Sequence, residues 1–231
     1  MKKNDYQRAI EHLSISEGGV FTTAQAQRCG IPRDALAYAS SIGRIERLCH
    51  GAYRLTSMVD DGYDELRAVW KLTAPTAFAH ERMGTGWDGI AVSGASAACL
   101  HGIGDLFPRP YQFSVSSRFN SRKRYATFKR AAVPSCDVTW KSGLPVTKIE
   151  VTLRDLLDGG EDLSLVADAF LDAVKKYGAT ELDIRKVADE LGDEGFAELK
   201  AAAGIDDGGT FELVNVDGRG HVALRERGRG L

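Results

Sequence analysis

The chain is poor in the residues that would tie it to metal clusters, disulfide frames or membranes. It has only four cysteines and six prolines in 231 residues. Cys29, Cys49, Cys99 and Cys136 are far apart and form no C-x-x-C pair, so reduced, half-buried thiols explain them better than a disulfide frame or a zinc cluster. No apolar run approaches the ~18 residues that a membrane helix needs. The opening Met1-Lys2-Lys3-Asn4-Asp5 leads into a mixed helix without an apolar export core. These absences point to a cytoplasmic protein with no membrane partner.

What is present is ordinary globular material, 43% hydrophobic and 27% charged, with a net charge of −2. That composition excludes a wholly disordered chain. The charge is divided along the chain: residues 1–57 carry +3, residues 58–150 carry +3 and residues 151–231 carry −8. A polyanionic partner is therefore expected on the N-terminal two-thirds.

The first 57 residues read as a winged helix-turn-helix. Ile10 and Leu13 recur at helical spacing across 4–17, and Gly18-Gly19 ends that helix. Thr22 and Gln25 match a capping box at the start of a second short helix, which runs to about Cys29. Gly30-Ile31-Pro32 makes the turn, with Pro32 expected in the first turn of a third helix that continues to Ile42. Arg44–Leu48 and Ala52–Leu55 flank a Gly-containing turn and read as the hairpin of a wing.

On the third helix Leu36 and Ala39 form an inward face, which leaves Arg33, Ala37, Tyr38, Ser41 and the following Arg44 outside. Small residues with a few cations and hydroxyls suit close approach to a duplex. Thr22 and Thr23 at the start of the second helix, and Arg47 and His50 on the wing, complete the expected DNA-facing set, and Arg54 is a further candidate phosphate contact.

Residues 58–231 are expected to form a mixed α/β domain that becomes helical from about residue 160, giving an α+β chain overall. Ile90-Ala91-Val92 is a strand candidate, and Ser93-Gly94-Ala95-Ser96 feeds a small-residue helix. Such a turn either cradles a phosphate or permits close helix–sheet packing. A nucleotidyltransferase needs paired aspartates on the strand that follows, to hold Mg²⁺. That strand, Tyr111 to Ser116, offers serines and no carboxylate. A nucleotidyltransferase-like shape, if present, is thus a disarmed one, and no catalytic residue, metal or cofactor is expected.

Between Ser117 and Ala131 stand Arg118, Arg122, Lys123, Arg124, Lys129 and Arg130, with Phe119, Tyr125 and Phe128 between them. This stretch is either a surface for a phosphate backbone or unpaired bases, or a charged loop with its aromatics anchored below. Three helical patterns follow: Leu163 to Val174, Leu182 to Leu191, and Phe196 with Leu199. Phe211–Val216 and His221–Leu224 suggest a terminal hairpin.

The segments Gly19-Val20-Phe21-Thr22-Thr23-Ala24-Gln25, Gly30-Ile31-Pro32, Gly43-Arg44-Ile45-Glu46-Arg47 and Gly51-Ala52-Tyr53-Arg54-Leu55 resemble the N-terminal domain of AbiEi-type antitoxins, from the type IV toxin–antitoxin systems of bacteria. Ser93–Ala97 with Leu100-His101-Gly102, and Gly143–Thr147 with Thr152–Leu157, resemble AbiEi-like C-terminal regions. The resemblance implies a phage-defence antitoxin that represses its own operon by binding promoter repeats in double-stranded DNA. It also implies a cognate nucleotidyltransferase toxin as partner, without requiring a stable complex. The cationic 118–130 stretch is then the expected antitoxin surface.

Two other functions compete. One is an endonuclease-like C-terminal domain, for which Glu198-Leu199-Lys200 has the spacing but a helical pattern, and Asp217 with His221 lacks a matching lysine. The other is a protein-interaction adaptor without DNA affinity.

Overall fold

The computed structural model describes residues 3–83, 86–119, 124–206 and 208–227. They form two compact units: 1–90 with 142–144, and 91–141 with 145–231. The first unit therefore extends well past the winged head read from the sequence.

The first unit opens with α1 (Lys3–Ser16), whose Ile10 and Leu13 are buried. β1 (Val20–Thr22) is buried at every position and passes directly into α2 (Thr23–Arg28). The junction is the expected capping box: Gln25 N–H donates to Thr22 Oγ1 at 3.0 Å, and Thr22 N–H to Gln25 Oε1 at 2.8 Å. α2 stops because Gly30 adopts φ 74°, a left-handed conformation that costs a Cβ-free residue little. The Ile31 and Gly30 N–H groups then return to Ala26 O and Gln27 O, both at 2.9 Å, and Ile31 is driven into the core. α3 (Arg33–Ser41) ends with the same pattern, Arg44 N–H reaching Ala39 O at 3.0 Å. Pro32 is not inside α3 as expected. Its ψ of 160° is extended, so it stands one place earlier, as the N-cap residue.

β2 (Ile45–Cys49) and β3 (Ala52–Leu55) make the antiparallel hairpin, and β1 joins its far side to give the order β1-β3-β2. A core of Ile10, Leu13, Phe21, Ala26, Ile31, Leu36, Ala39 and Ile45 joins the three helices to this sheet. α4 (Asp64–Thr73) covers another patch of it, burying Ala68 against Val20 and Ala52. That packing carries the unit beyond residue 57.

The second unit is built on a five-stranded sheet of order β6-β5-β4-β8-β7. Its strands are β4 (Ile90–Val92), β5 (Tyr111–Val115), β6 (Ala126–Arg130), β7 (Val138–Lys141) and β8 (Leu144–Thr147). β5 runs parallel to β6, and β4 to β8. α5 (Gly94–His101) follows β4, and α6 (Ile149–Asp158), α7 (Leu163–Tyr177) and α8 (Ile184–Ala202) follow β8. Their apolar faces meet around Leu153, Leu156, Phe170, Val174, Leu182 and Leu199. α8 joins two of the helices expected separately, with a break at Gly192 (φ 71°, ψ 165°). β9 (Phe211–Asn215) and β10 (Val222–Glu226) form the closing hairpin. The fold is α+β, with a winged-helix-like head, as the residue patterns imply. No helix among the described residues is long and apolar enough to cross a membrane.

Candidate nucleic-acid interface

α3 turns Leu36 and Ala39 inward and leaves Arg33, Ala37 and Ser41 exposed along its other side. Arg33 makes no ion pair among the described residues. It shares the lining of a cavity of about 230 Å³ with Thr23, Arg47, His50 and Tyr53, between the start of α2, the start of α3 and the wing. Four residues assigned to DNA from the sequence are thus brought to one place. Inside it Arg47 Nη2 lies 2.7 Å from His50 Nδ1. With Arg47 donating, that nitrogen is the acceptor, and Nε2–H is left to donate outward.

Other members of the expected set are placed differently. Thr22 is fully buried: its hydroxyl accepts from Gln25 N–H and donates to Pro75 O at 2.5 Å, so it anchors α2 rather than facing a ligand. Tyr38 is half-buried and turned toward α1, where it lines a 250 Å³ cavity with Tyr6, Ile10 and Asp34. Arg44 is exposed but pairs with Glu11 at 3.0 Å. Ser41 donates to Tyr38 O at 2.8 Å. Arg54 is ringed by Glu46, Asp60 and Asp64 at 2.9, 3.0 and 3.1 Å. The Asp64 hydrogen bond, with Glu46 next, raises its already high pKa, so this guanidinium is spent on the protein and is not available to a phosphate.

The sequence reading also missed how α2 is held. Thr22, Gln25 and Arg28 fall three residues apart, and each reaches residues 75–81, the strap that follows α4. Gln25 Nε2 donates to Ala77 O at 2.8 Å, and Arg28 donates to Thr76 O at 3.0 Å and to both Glu81 oxygens at 2.6 Å. That fork and the Phe78 N–H hold the Glu81 carboxyl at about 2. Beneath the strap lies a buried hub: Glu17 Oε2 accepts from Lys71 Nζ at 2.6 Å, Gln25 Nε2 at 2.8 Å and Ala79 N at 3.2 Å. Burial pushes the Lys71 pKa down, with Glu17 opposing. The i, i+3 spacing of Thr22, Gln25 and Arg28 was the only available signal, since their partners lie about fifty residues away.

In the second unit the Gly/Ser turn is not an anion cradle. Gln112 Oε1 accepts from Ala95 N–H at 3.2 Å, and a Cβ on Gly94 would stand 1.8 Å from that oxygen. A glutamine of β5 thus fills the start of α5, and the packing reading holds. In the cationic stretch Arg122 and Lys123 lie outside the described residues. Arg118 and Arg124 are exposed; Lys129 and Arg130 are exposed on β6, an edge strand where a charged loop was one expectation. Ala126 and Phe128 alternate inward there, and Phe128 packs against Phe113 and Phe119 with centroids 5.3 and 4.5 Å apart. Two of the aromatics are therefore anchors. Lys129 pairs with Asp158 at 3.2 Å and lies 3.8 Å from Asp155, whose buried carboxyl is raised by desolvation.

Glu198 and Lys200 lie within α8, and His221 Nδ1 meets Asp217 at 2.7 Å on the closing hairpin. Among the described residues one group of carboxylates, Asp60, Asp61 and Asp64, is close enough to share a cation, but Arg54 and Arg67 already bracket it.

Three helices with a β-hairpin behind a short turn define a winged-helix-like head. Residues 8–56, which are that head, match the family model described as "Transcriptional regulator, AbiEi antitoxin". The resemblance read from its motifs holds over this segment and supports an antitoxin or regulator role. Among solved structures, the crystal structure of the RV2827C protein from Mycobacterium tuberculosis is similar at a TM-score of 0.54 and 16% identity, covering 86% of this chain and 76% of that one. At that identity the likeness is one of fold. No curated protein matches the chain.

Proposed function

We propose that the chain is an AbiEi-type antitoxin that represses its own operon by binding double-stranded promoter DNA, and that it counteracts a cognate nucleotidyltransferase toxin. The observation that carries this reading is the convergence of Arg33, Arg47, His50 and Thr23 between α3 and the wing. A helix presenting Ala37 and Ser41 can lie close to base edges, while a guanidinium at its start and a wing at its flank take adjacent phosphates. Electrostatic contact of this kind weakens steeply as salt rises.

The test is fluorescence anisotropy of the full chain on a duplex taken from upstream of its own gene. Binding at low salt that falls steeply with added salt supports the reading; no binding at low salt removes it and leaves the adaptor function. For the antitoxin arm, reversing the charges of Arg122, Lys123 and Arg124 together is expected to impair growth rescue from the toxin more than DNA binding. The opposite order would dissolve that division of labour.

A further inference from the structure

The first unit also holds a cavity of about 400 Å³ between α1, the end of α2 and the strap, and nothing in the DNA reading uses it. Its walls are His12 and Leu13 of α1, Cys29 at the end of α2, and Phe78 and His80 of the strap. The volume lies within the range of small-molecule sites, ~300–1,000 Å³. Phe78 and His80 stack nearly parallel, 9° apart with centroids at 5.8 Å, and this offset pair forms the aromatic part of the lining. Leu13 and Ala9 supply aliphatic surface, and the exposed imidazoles of His12 and His80 supply hydrogen-bonding groups at the rim.

The charges around it disfavour an ionic occupant of either sign. Glu17 also lines the cavity, and its carboxylate is already committed to Lys71, Gln25 and Ala79 N–H. The Arg28 guanidinium, 4.5 Å from the Phe78 ring centroid, is likewise paired, to Glu81. Burial and the nearby Glu17 keep the Cys29 thiol protonated, so it adds a weak donor and no charge.

We propose that this cavity is a binding site for a small, neutral, planar aromatic molecule, stacked on the Phe78–His80 wall and hydrogen-bonded at the histidine rim. Because α1, the end of α2 and the strap all contribute walls, an occupant bears on the pieces that seat the helix-turn-helix.

The test needs no DNA, so it stands apart from the regulator reading. The full chain is labelled with ¹⁵N and titrated at neutral pH with benzyl alcohol, benzoate and benzylamine, which share a ring and differ in charge. Saturable amide shifts centred on Ala9, Leu13, Cys29 and Phe78 are expected with benzyl alcohol, and weaker binding with both ions. Ala9→Phe should fill the space and weaken binding by about tenfold or more, the spectrum elsewhere being kept. Should that variant fail to fold, His80→Ala removes the stacked wall from the rim and is expected to weaken benzyl alcohol in the same direction. Absence of saturable shifts with every probe overturns the site. So do shifts that both variants leave unchanged, while a charged probe binding as tightly as benzyl alcohol overturns the ligand class.

Discussion

The two units hold themselves together by different means. The first is small and has placed a charged pair in its interior: the Lys71 and Glu17 side chains are 3% and 2% exposed. The second packs four helices and two hairpin strands around a continuous apolar cluster and buries a neutral histidine, His101, beside Thr147 O at 2.8 Å. The smaller unit has a limited apolar interior, and directional bonds fasten its α2 to the strap. The larger unit has the apolar area to be held by packing. The contrast is open to test by breaking one means at a time, because Trp70 and Trp87 report on the first unit and Trp140 on the second.

The largest effect is expected from Lys71→Ala. It strands the Glu17 carboxylate in the interior, and removing one partner of a buried pair typically costs ~3–5 kcal/mol. Urea unfolding followed through Trp70 and Trp87 should shift by that much, with the Trp140 signal little changed. A double variant, Lys71→Met with Glu17→Gln, should recover most of the loss, because it removes both charges. A single variant within ~1 kcal/mol of the parent chain would mean that the pair contributes little.

His101 gives the second unit its own weak point. Burial lowers its pKa to about 4, from the 6.5 of an ordinary histidine. The unfolded chain therefore binds a proton that the folded unit refuses. Stability is full above pH 6.5 and falls as pH drops from 6.5 toward 4, by about 3 kcal/mol in all. The Trp140 unfolding midpoint should drop across that window, and His101→Gln should flatten the dependence. A midpoint that tracks pH equally in the parent chain and in His101→Gln would assign the acid sensitivity to other groups.

Legibility divided along the same line. Capping boxes, glycine stops and short alternating strands involve residues within a few places of one another, and so the head could be read almost element by element from Gly19 to Leu55. Thr22 shows the limit of that reading. The spacing identifies it as a cap, yet only the fold shows that a cap in a fully buried strand cannot also face DNA. The Glu17–Lys71 pair, the strap over α2 and the carboxylates around Arg54 depend on tertiary contacts with no local pattern. β6 was hidden for another reason: its cations on an edge strand mask the inward alternation of Ala126 and Phe128. Of the candidate interface, Arg33, Arg47 and His50 were legible as polar groups on α3 and the wing, whereas their freedom or engagement was not.

That last distinction supplies the smallest and sharpest prediction. Arg33 and Arg44 are both exposed cations flanking α3, and by sequence they are equivalent DNA contacts. Arg33 has no ion-pair partner among the described residues, whereas Arg44 holds Glu11 at 3.0 Å with both side chains nearly half exposed. To reach a phosphate Arg44 must first leave Glu11, and an exposed pair of this kind is worth ~0–1 kcal/mol. Arg33→Ala should therefore weaken promoter binding by ~1–3 kcal/mol, or reduce the salt slope by about one if its contact is a phosphate. Arg44→Ala should cost less, and Glu11→Gln should tighten binding slightly by releasing Arg44. Equal losses for the two arginines, with no gain from Glu11→Gln, would mean that the Glu11 pair does not persist on the duplex.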